Sequence, residues 1–64
     1  MTNASVRARL KNYVTKYGST YSSIGRDCNF GKKSYYLISR FMRGLDLNEL
    51  TLKIISDYLT ERGE

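Results

Sequence analysis

The sequence predicts an all-α fold: a compact single domain over residues 1–64, built from four or five short helices. Apolar residues recur at spacings of three and four in several segments, which is the period of a helix buried on one side. Glycine or asparagine separates these segments, and none of the 64 residues is a proline that would break a helix. The hydrophobic content of 41% is that of a folded chain, and the length allows one domain.

The first helix is predicted from about Ala4 to Tyr17. Thr2, Asn3 or Ser5 is expected to cap its start, because short polar side chains accept hydrogen bonds from free helical amides. Gly18 suits the position just after its last turn. The apolar stripe of this helix consists of Val6, Leu10, Tyr13, Val14 and Tyr17.

A second, shorter helix is predicted from Tyr21 to Cys28, with Thr20 as its N-cap. Gly25 inside this helix costs about 1 kcal/mol of helix stability relative to alanine. We expect the close approach of another helix to offset that cost, because a side chain there would hold the two backbones apart. Asn29 tolerates a left-handed conformation and is expected to end the helix.

The third helix is predicted to start between Lys32 and Ser34, with Ser34 as a candidate cap, and to end at Arg43. A fourth helix is predicted from about Asn48, its expected cap, to Arg62. The core residues expected in this half of the chain are Phe30, Leu37, Ile38, Phe41, Leu52, Ile55 and Leu59, with Ile54 and Tyr58 beside them.

The charge is unevenly distributed along the chain, whose net charge is +5. Residues 1–25 carry four cations and no acid, residues 26–43 carry five cations and one acid, and residues 44–64 carry two cations and five acids. A basic front and an acidic back favour a polyanionic partner that approaches from one side, although an ordinary solvated surface explains the charge alone equally well.

Several classes of function are not expected. The chain has no histidine and one cysteine, Cys28, so we expect no metal site, no intrachain disulfide, and a structural role for this thiol. No enzyme is expected, since the chain lacks a glycine-rich phosphate loop and a carboxylate pair with an evident cleft. No cofactor or small-molecule ligand is indicated. The lack of a long apolar run and of a signal peptide predicts a cytoplasmic location without a membrane partner.

The segment from about residue 20 to residue 44 is the basis of the functional prediction. It combines a short helix containing a small residue, a turn, and a second helix that is apolar on one side and polar and basic on the other. The run Tyr36-Leu-Ile-Ser-Arg-Phe-Met-Arg-Gly44, followed by Leu52 and Ile55-Ser-Asp-Tyr-Leu59, resembles the Cro/repressor-type (XRE-like) helix-turn-helix DNA-binding domains of phages and bacterial regulators.

The resemblance covers about residues 10–60, and Tyr21, Ile24 and Gly25 fit the first helix of the family's motif. It implies a lambda-repressor-like fold, in which the second motif helix enters the major groove of double-stranded DNA. It also implies a transcriptional regulator, a repressor or Cro-like protein of a phage or mobile element, that occupies an operator as a homodimer.

The resemblance further implies two sets of DNA contacts. Arg40 is expected to pair with guanine O6 and N7, whereas the lysines and Arg43 are expected to contact phosphates. The candidates for reading base edges are Ser34, Tyr35, Tyr36, Ser39 and Arg40. The candidates for phosphate contacts are Thr20, Tyr21, Ser22, Lys32, Lys33 and Arg43.

Alternatives stay open at this point. The segment between Asn29 and Ile38 is about three residues longer than the family's usual turn, so either the recognition helix starts early, at Lys32, or the turn bulges. One of Tyr35 and Tyr36 could belong to the core, the two lysines could form a solvated turn, and the arginines of the third helix could pair with acids. The six tyrosines and the acidic last third also suit a protein-binding module of the same fold, such as an antirepressor or an inhibitor of a nucleic-acid enzyme.

Overall fold

The computed structural model describes residues 1–64 and contains four α-helices and no β-strand. The helices are α1 (Asn3–Tyr17), α2 (Tyr21–Asp27), α3 (Ser34–Met42) and α4 (Glu49–Glu61). A 3₁₀ turn over Gly31–Lys33 leads directly into α3. The all-α prediction is therefore confirmed, and the extra length between α2 and α3 takes the form of this 3₁₀ turn.

Short polar side chains begin three of the helices, as predicted. The side-chain oxygens of Thr2, Thr20 and Asn48 each accept a hydrogen bond from the amide three residues later, at 2.8 to 3.1 Å. The prediction that Ser34 caps α3 is wrong. Its own amide already donates to the carbonyl of Gly31 within the 3₁₀ turn, so the turn takes the place of a side-chain cap.

Residues of all four helices form the core, with α2 packed against α3 and α1 packed against α4. Phe30 and Leu37, which the sequence places in the core, are only partly buried. Phe30 packs against the edge of the core because it belongs to the turn, and Leu37 lies on the flank of α3 beside the fully buried Ile38. The 11 buried core residues are Val6, Leu10, Tyr13, Ile24, Cys28, Ile38, Phe41, Leu52, Ile55, Tyr58 and Leu59.

Two arginines of α1 connect this helix to the rest of the fold. The Arg7 guanidinium donates to the backbone carbonyl of Phe41, lies 4.7 Å from the centroid of that ring, and pairs with Asp46 at 3.1 Å. The Arg9 guanidinium donates to the hydroxyl of Ser56 at 2.8 Å, and it also reaches Thr60 and the last residue of the chain. Both cations therefore have structural roles within the protein.

The helices α2 and α3 cross at Gly25, as the sequence predicts. A Cβ atom built on Gly25 would lie 2.1 Å from the Cβ of Ser34, so no side chain fits between the two backbones. Asn29 follows α2 with a φ of 61°, the left-handed conformation expected for it. The next amide, that of Phe30, donates to the carbonyl of Gly25 at 3.0 Å and so closes the turn.

Candidate nucleic-acid interface

The outer side of α3 is exposed and carries two arginines that have no protein partner. Tyr36, Arg40 and Arg43 lie four and three residues apart, on the side opposite the buried Ile38 and Phe41. Neither arginine takes part in any of the four ion pairs of the protein or in a side-chain hydrogen bond. The alternative in which they pair with acids of a neighbouring helix is therefore wrong, and their side chains are free for an external ligand.

The eleven cations of the chain divide into two groups. Arg7, Arg9, Lys16, Lys53 and Arg62 are engaged by acids, hydroxyls, carbonyls or a tyrosine ring. Lys11, Arg26, Lys32, Lys33, Arg40 and Arg43 are exposed and form no ion pair. Five of these six lie between the start of α2 and the residue that follows α3, so the free positive charge is concentrated there. Within the predicted basic front, three of the four cations of residues 1–25 are engaged within the protein, whereas all five of residues 26–43 are free.

An open cleft of about 570 Å³ separates α2 from the segment that leads into α3. Its lining includes two of the unpaired cations, Arg26 and Lys32, and no acid. Because an uncompensated pair of like charges favours a counter-ion between them, this cleft is suited to an anion. The lining residues are Ser22, Arg26, Asn29, Gly31, Lys32, Ser34 and Tyr35.

Ser34 does not lie on the outer face of α3, where the sequence places a base-reading side chain. It is 8% exposed, because its Cβ fills the crossing opposite Gly25. The prediction that Ser34 reads base edges is therefore corrected, since a side chain in this crossing does not extend from the helix. The residue borders the cleft, and its hydroxyl takes part in no hydrogen bond within the protein.

Three tyrosines form a row of neighbouring rings across α2 and α3. The ring centroids of Tyr21 and Tyr35 are 6.0 Å apart, as are those of Tyr35 and Tyr36. Tyr21 is partly buried and packs against the core, whereas Tyr35 is 51% and Tyr36 66% exposed. The alternative that one of the last two belongs to the core is therefore wrong, and both present ring faces and hydroxyls to solvent.

The remaining candidates occupy different positions. The Thr20 hydroxyl accepts the capping hydrogen bond of α2 and keeps its own proton free to donate, and both Thr20 and Ser22 are exposed. Ser39 is half-buried beside the exposed stripe of α3. Lys33 is exposed in the 3₁₀ turn, and Arg43 borders a separate shallow hollow of about 450 Å³ at the end of α3. Six of the predicted site residues line the two depressions: Ser22, Lys32, Ser34 and Tyr35 line the cleft, and Arg40 and Arg43 line the hollow.

Arg26 is a site residue that the sequence reasoning missed. It lies on α2, is exposed, and lines the cleft together with Ser22. The four-residue spacing between Ser22 and Arg26 places them on the same helical face, and this spacing was the available signal. The next residue, Asp27, lies on the other side of α2, where its carboxylate accepts a hydrogen bond from the Tyr58 hydroxyl at 3.2 Å.

Cys28 is buried and borders a further depression, whose lining includes the three acids Asp27, Asp57 and Glu61. Burial, with a smaller contribution from the negative charge of Asp27, raises the pKa of the Cys28 thiol to about 11. The thiol is therefore protonated near neutral pH, which agrees with the predicted structural role. No group of three or more acidic or cysteine side chains is arranged to hold a metal ion, and no helix has both the length and the apolar character needed to cross a membrane.

Comparisons of this chain with protein-family models, with curated proteins and with solved structures found no match.

Proposed function

We propose that this chain is a sequence-specific double-stranded DNA-binding transcriptional regulator, in which α2, the turn and α3 form a lambda-repressor-like helix-turn-helix. The observation that carries the proposal is the exposed stripe of Tyr36, Arg40 and Arg43, whose cations have no partner within the protein. The major groove of B-DNA, about 12 Å wide, admits a helix that is polar on its outer side. The close crossing at Gly25 supports the proposal, because it holds α3 rigidly on α2.

The proposed contacts separate into reading and positioning. Arg40 lies in the middle of the exposed stripe and offers the planar fork that fits guanine O6 and N7. Tyr35 and Tyr36 offer rings to thymine methyl groups or hydroxyls to phosphates. Lys32, Lys33 and Arg43, at the two ends of α3, are placed for phosphates, which orient a protein on DNA without specifying sequence.

A homodimer is part of the proposal, because two recognition helices supply the affinity and palindromic specificity that one lacks. The C-terminal helix α4 is the candidate interface. Leu50 is 73% exposed on it and Ile54, one turn later, is 38% exposed. Repression of a phage or mobile-element operator by simple occupancy is the mode of action that agrees best with a domain of this size.

The test is a selection of binding sites from random double-stranded DNA, followed by titrations of variants. Arg40→Ala should lose about 1 to 3 kcal/mol of discrimination between the selected site and random DNA. Arg40→Lys should keep the affinity for random DNA and still lose discrimination, because a point charge does not form the bidentate contact. Lys33→Ala should weaken binding to all sequences and flatten its salt dependence.

The matched control for Lys33→Ala is Lys53→Ala, which removes the same charge from α4, where Lys53 pairs with Asp57. If selection yields no sequence that binds more tightly than random DNA, the proposal is wrong. If Arg40→Ala weakens binding to selected and random DNA equally, Arg40 does not read bases.

A protein-binding module of the same fold, such as an antirepressor or an inhibitor of a nucleic-acid enzyme, is the second candidate. The observation that favours it is the exposure of Tyr35, Tyr36 and Leu50, since tyrosine is enriched in protein interfaces. A stable protein complex, together with no preference among DNA sequences at about 0.15 M salt, would favour this candidate.

A further inference from the structure

We infer that the cleft between α2 and the 3₁₀ turn is a specific site for a phosphate-type oxyanion, bound by Arg26, Lys32 and the hydroxyl of Ser34. The occupant is a phosphodiester group of the DNA backbone, and this assignment of the occupant rests on the proposed function. The existence of the site does not rest on the proposed function, because it follows from the position of these three residues around one cleft.

The electrostatic argument starts from the two cations. Arg26 and Lys32 both line the cleft, and neither forms an ion pair. The nearest acid in sequence, Asp27, points to the opposite side of α2, where it bonds to Tyr58. Two like charges with no carboxylate between them are stabilised by an anion that bridges them, and oxyanions accept charge-assisted hydrogen bonds from both side chains.

The hydroxyl of Ser34 is the second and independent observation. The residue is more than nine-tenths buried, yet its hydroxyl takes part in no hydrogen bond within the protein and borders the cleft. No buried side-chain oxygen or nitrogen of the protein lacks a partner, so the unbonded Ser34 oxygen still reaches the solvent of the cleft, where a ligand can accept its proton. Alanine would fill the crossing against Gly25 equally well, so packing does not account for the hydroxyl. An oxyanion in the cleft accepts a hydrogen bond from this hydroxyl in place of water.

The additional length of the turn explains why the cleft exists. The 3₁₀ turn over Gly31–Lys33 separates the end of α2 from the start of α3 and carries Lys32. Gly31 allows this path because its φ of 81° is unfavourable for other residues. Gly31 and Lys32 of this turn therefore form one wall of the proposed site.

The first experiment titrates inorganic phosphate into the protein at constant ionic strength, with sodium chloride as the compensating salt, and follows backbone amide resonances by NMR. We expect saturable shifts for Gly31, Lys32 and Ser34. Ser34→Ala, which keeps the Cβ of the crossing, should weaken phosphate binding by about tenfold. Arg26→Gln and Lys32→Gln should weaken it at least as much, whereas Lys53→Gln, an equal change of charge on α4, should not.

The second experiment measures binding to random duplex DNA at several salt concentrations. Loss of one phosphate contact reduces the slope of log K against log salt by about 0.9, so Arg26→Gln and Lys32→Gln should each show this reduction. Ser34→Ala should lower the affinity without changing the slope, because it removes no charge.

The outcomes separate the site from the function. The site would be refuted if the amide shifts caused by phosphate did not saturate. It would also be refuted if Lys53→Gln weakened phosphate binding as much as Lys32→Gln does. Saturable phosphate binding with unchanged DNA slopes in the cleft variants would overturn the DNA backbone as its occupant. Reduced slopes in the cleft variants, with no sequence preference in the selection, would support the site while refuting the proposed function. If Ser34→Ala fails to fold, the two exposed cations decide the result.

Discussion

Replacement of Gly25 by alanine should destabilise the protein, although alanine is the better helix former. The added Cβ would lie 2.1 Å from the Cβ of Ser34 and 3.0 Å from its Cα. Rotation about the χ1 angle of Ser34 moves neither of these atoms. The clash is therefore relieved only if α2 and α3 move apart, which loosens the contacts of Ile24 and Ile38 with the core.

The magnitude follows from two opposing effects. Overpacking of a close contact costs about 1 to 3 kcal/mol, and the greater helix propensity of alanine returns about 1 kcal/mol. Because atoms fixed to the backbone clash at 2.1 Å, the upper end of the first range applies, and we expect a net loss of about 2 kcal/mol. In a domain of this size such a loss lowers Tm by roughly 8 to 16 °C.

Urea denaturation followed by circular dichroism measures this loss as a lower midpoint. Ser22→Ala is the control, since Ser22 is exposed on the same helix and its replacement should change stability by no more than about 0.5 kcal/mol. In a Ser34→Gly background the penalty for Gly25→Ala should largely disappear, because the opposing Cβ is absent. A Gly25→Ala protein as stable as the wild type would show that the two backbones are not in close contact.

Three further predictions concern α2, α1 and the core. Thr20→Ala should lower the free energy of unfolding by about 1 kcal/mol and Thr20→Ser should restore it, since the hydroxyl caps α2; equal urea midpoints would contradict this. Arg7→Ala should cost about 2 kcal/mol through its lost hydrogen bonds to carbonyls, whereas Lys11→Ala, an unpaired cation on the same helix, should change the urea midpoint little. Burial raises the pKa of the Cys28 thiol from 9.0 to about 11, so the thiol ionises more readily in the unfolded chain than in the folded one. The contribution of the protonated thiol to the free energy of unfolding is therefore complete below pH 9 and is lost as the pH rises through 11. The urea midpoint should therefore fall across this window, less steeply in Cys28→Ala, and a constant midpoint would refute the assignment.

The helices could be located from the sequence because the signals that define them are local. Thr20 and Asn48 cap their helices as predicted, and Thr2, one of three candidates, caps α1, since a cap needs only a side chain and an amide three residues away. The left-handed conformation of Asn29 was predictable for the same reason. The exposed stripe of α3 follows from helical periodicity alone, so Tyr36 and Arg40 could be placed on one face before their surroundings were known.

Assignments of individual site residues were less successful, because they depend on neighbours distant in sequence. Ser34 was predicted to be a cap and a base-reading residue, and it is neither, since Gly25 across the crossing brings α2 against it. Arg7 and Arg9 were counted in the basic front, but they bind groups near the ends of α3 and α4. Arg26 was omitted because only the tertiary fold places it across a cleft from Lys32.

Local sequence signals are sufficient to establish that this protein is helical, where its helices begin, and that the outer side of α3 is polar and basic. These properties depend on periodicity, capping and backbone preference, which act within a few residues. Which cations are engaged and which are free depends on long-range contacts, since the partners of the engaged ones lie up to 55 residues away, as for Arg9 and the backbone carbonyl of Glu64. The tertiary structure also distinguishes two sides of the segment from Lys32 to Arg43. Ser34 lies on the inner side, where α2 approaches, and borders the cleft, whereas Arg40 lies on the exposed outer side.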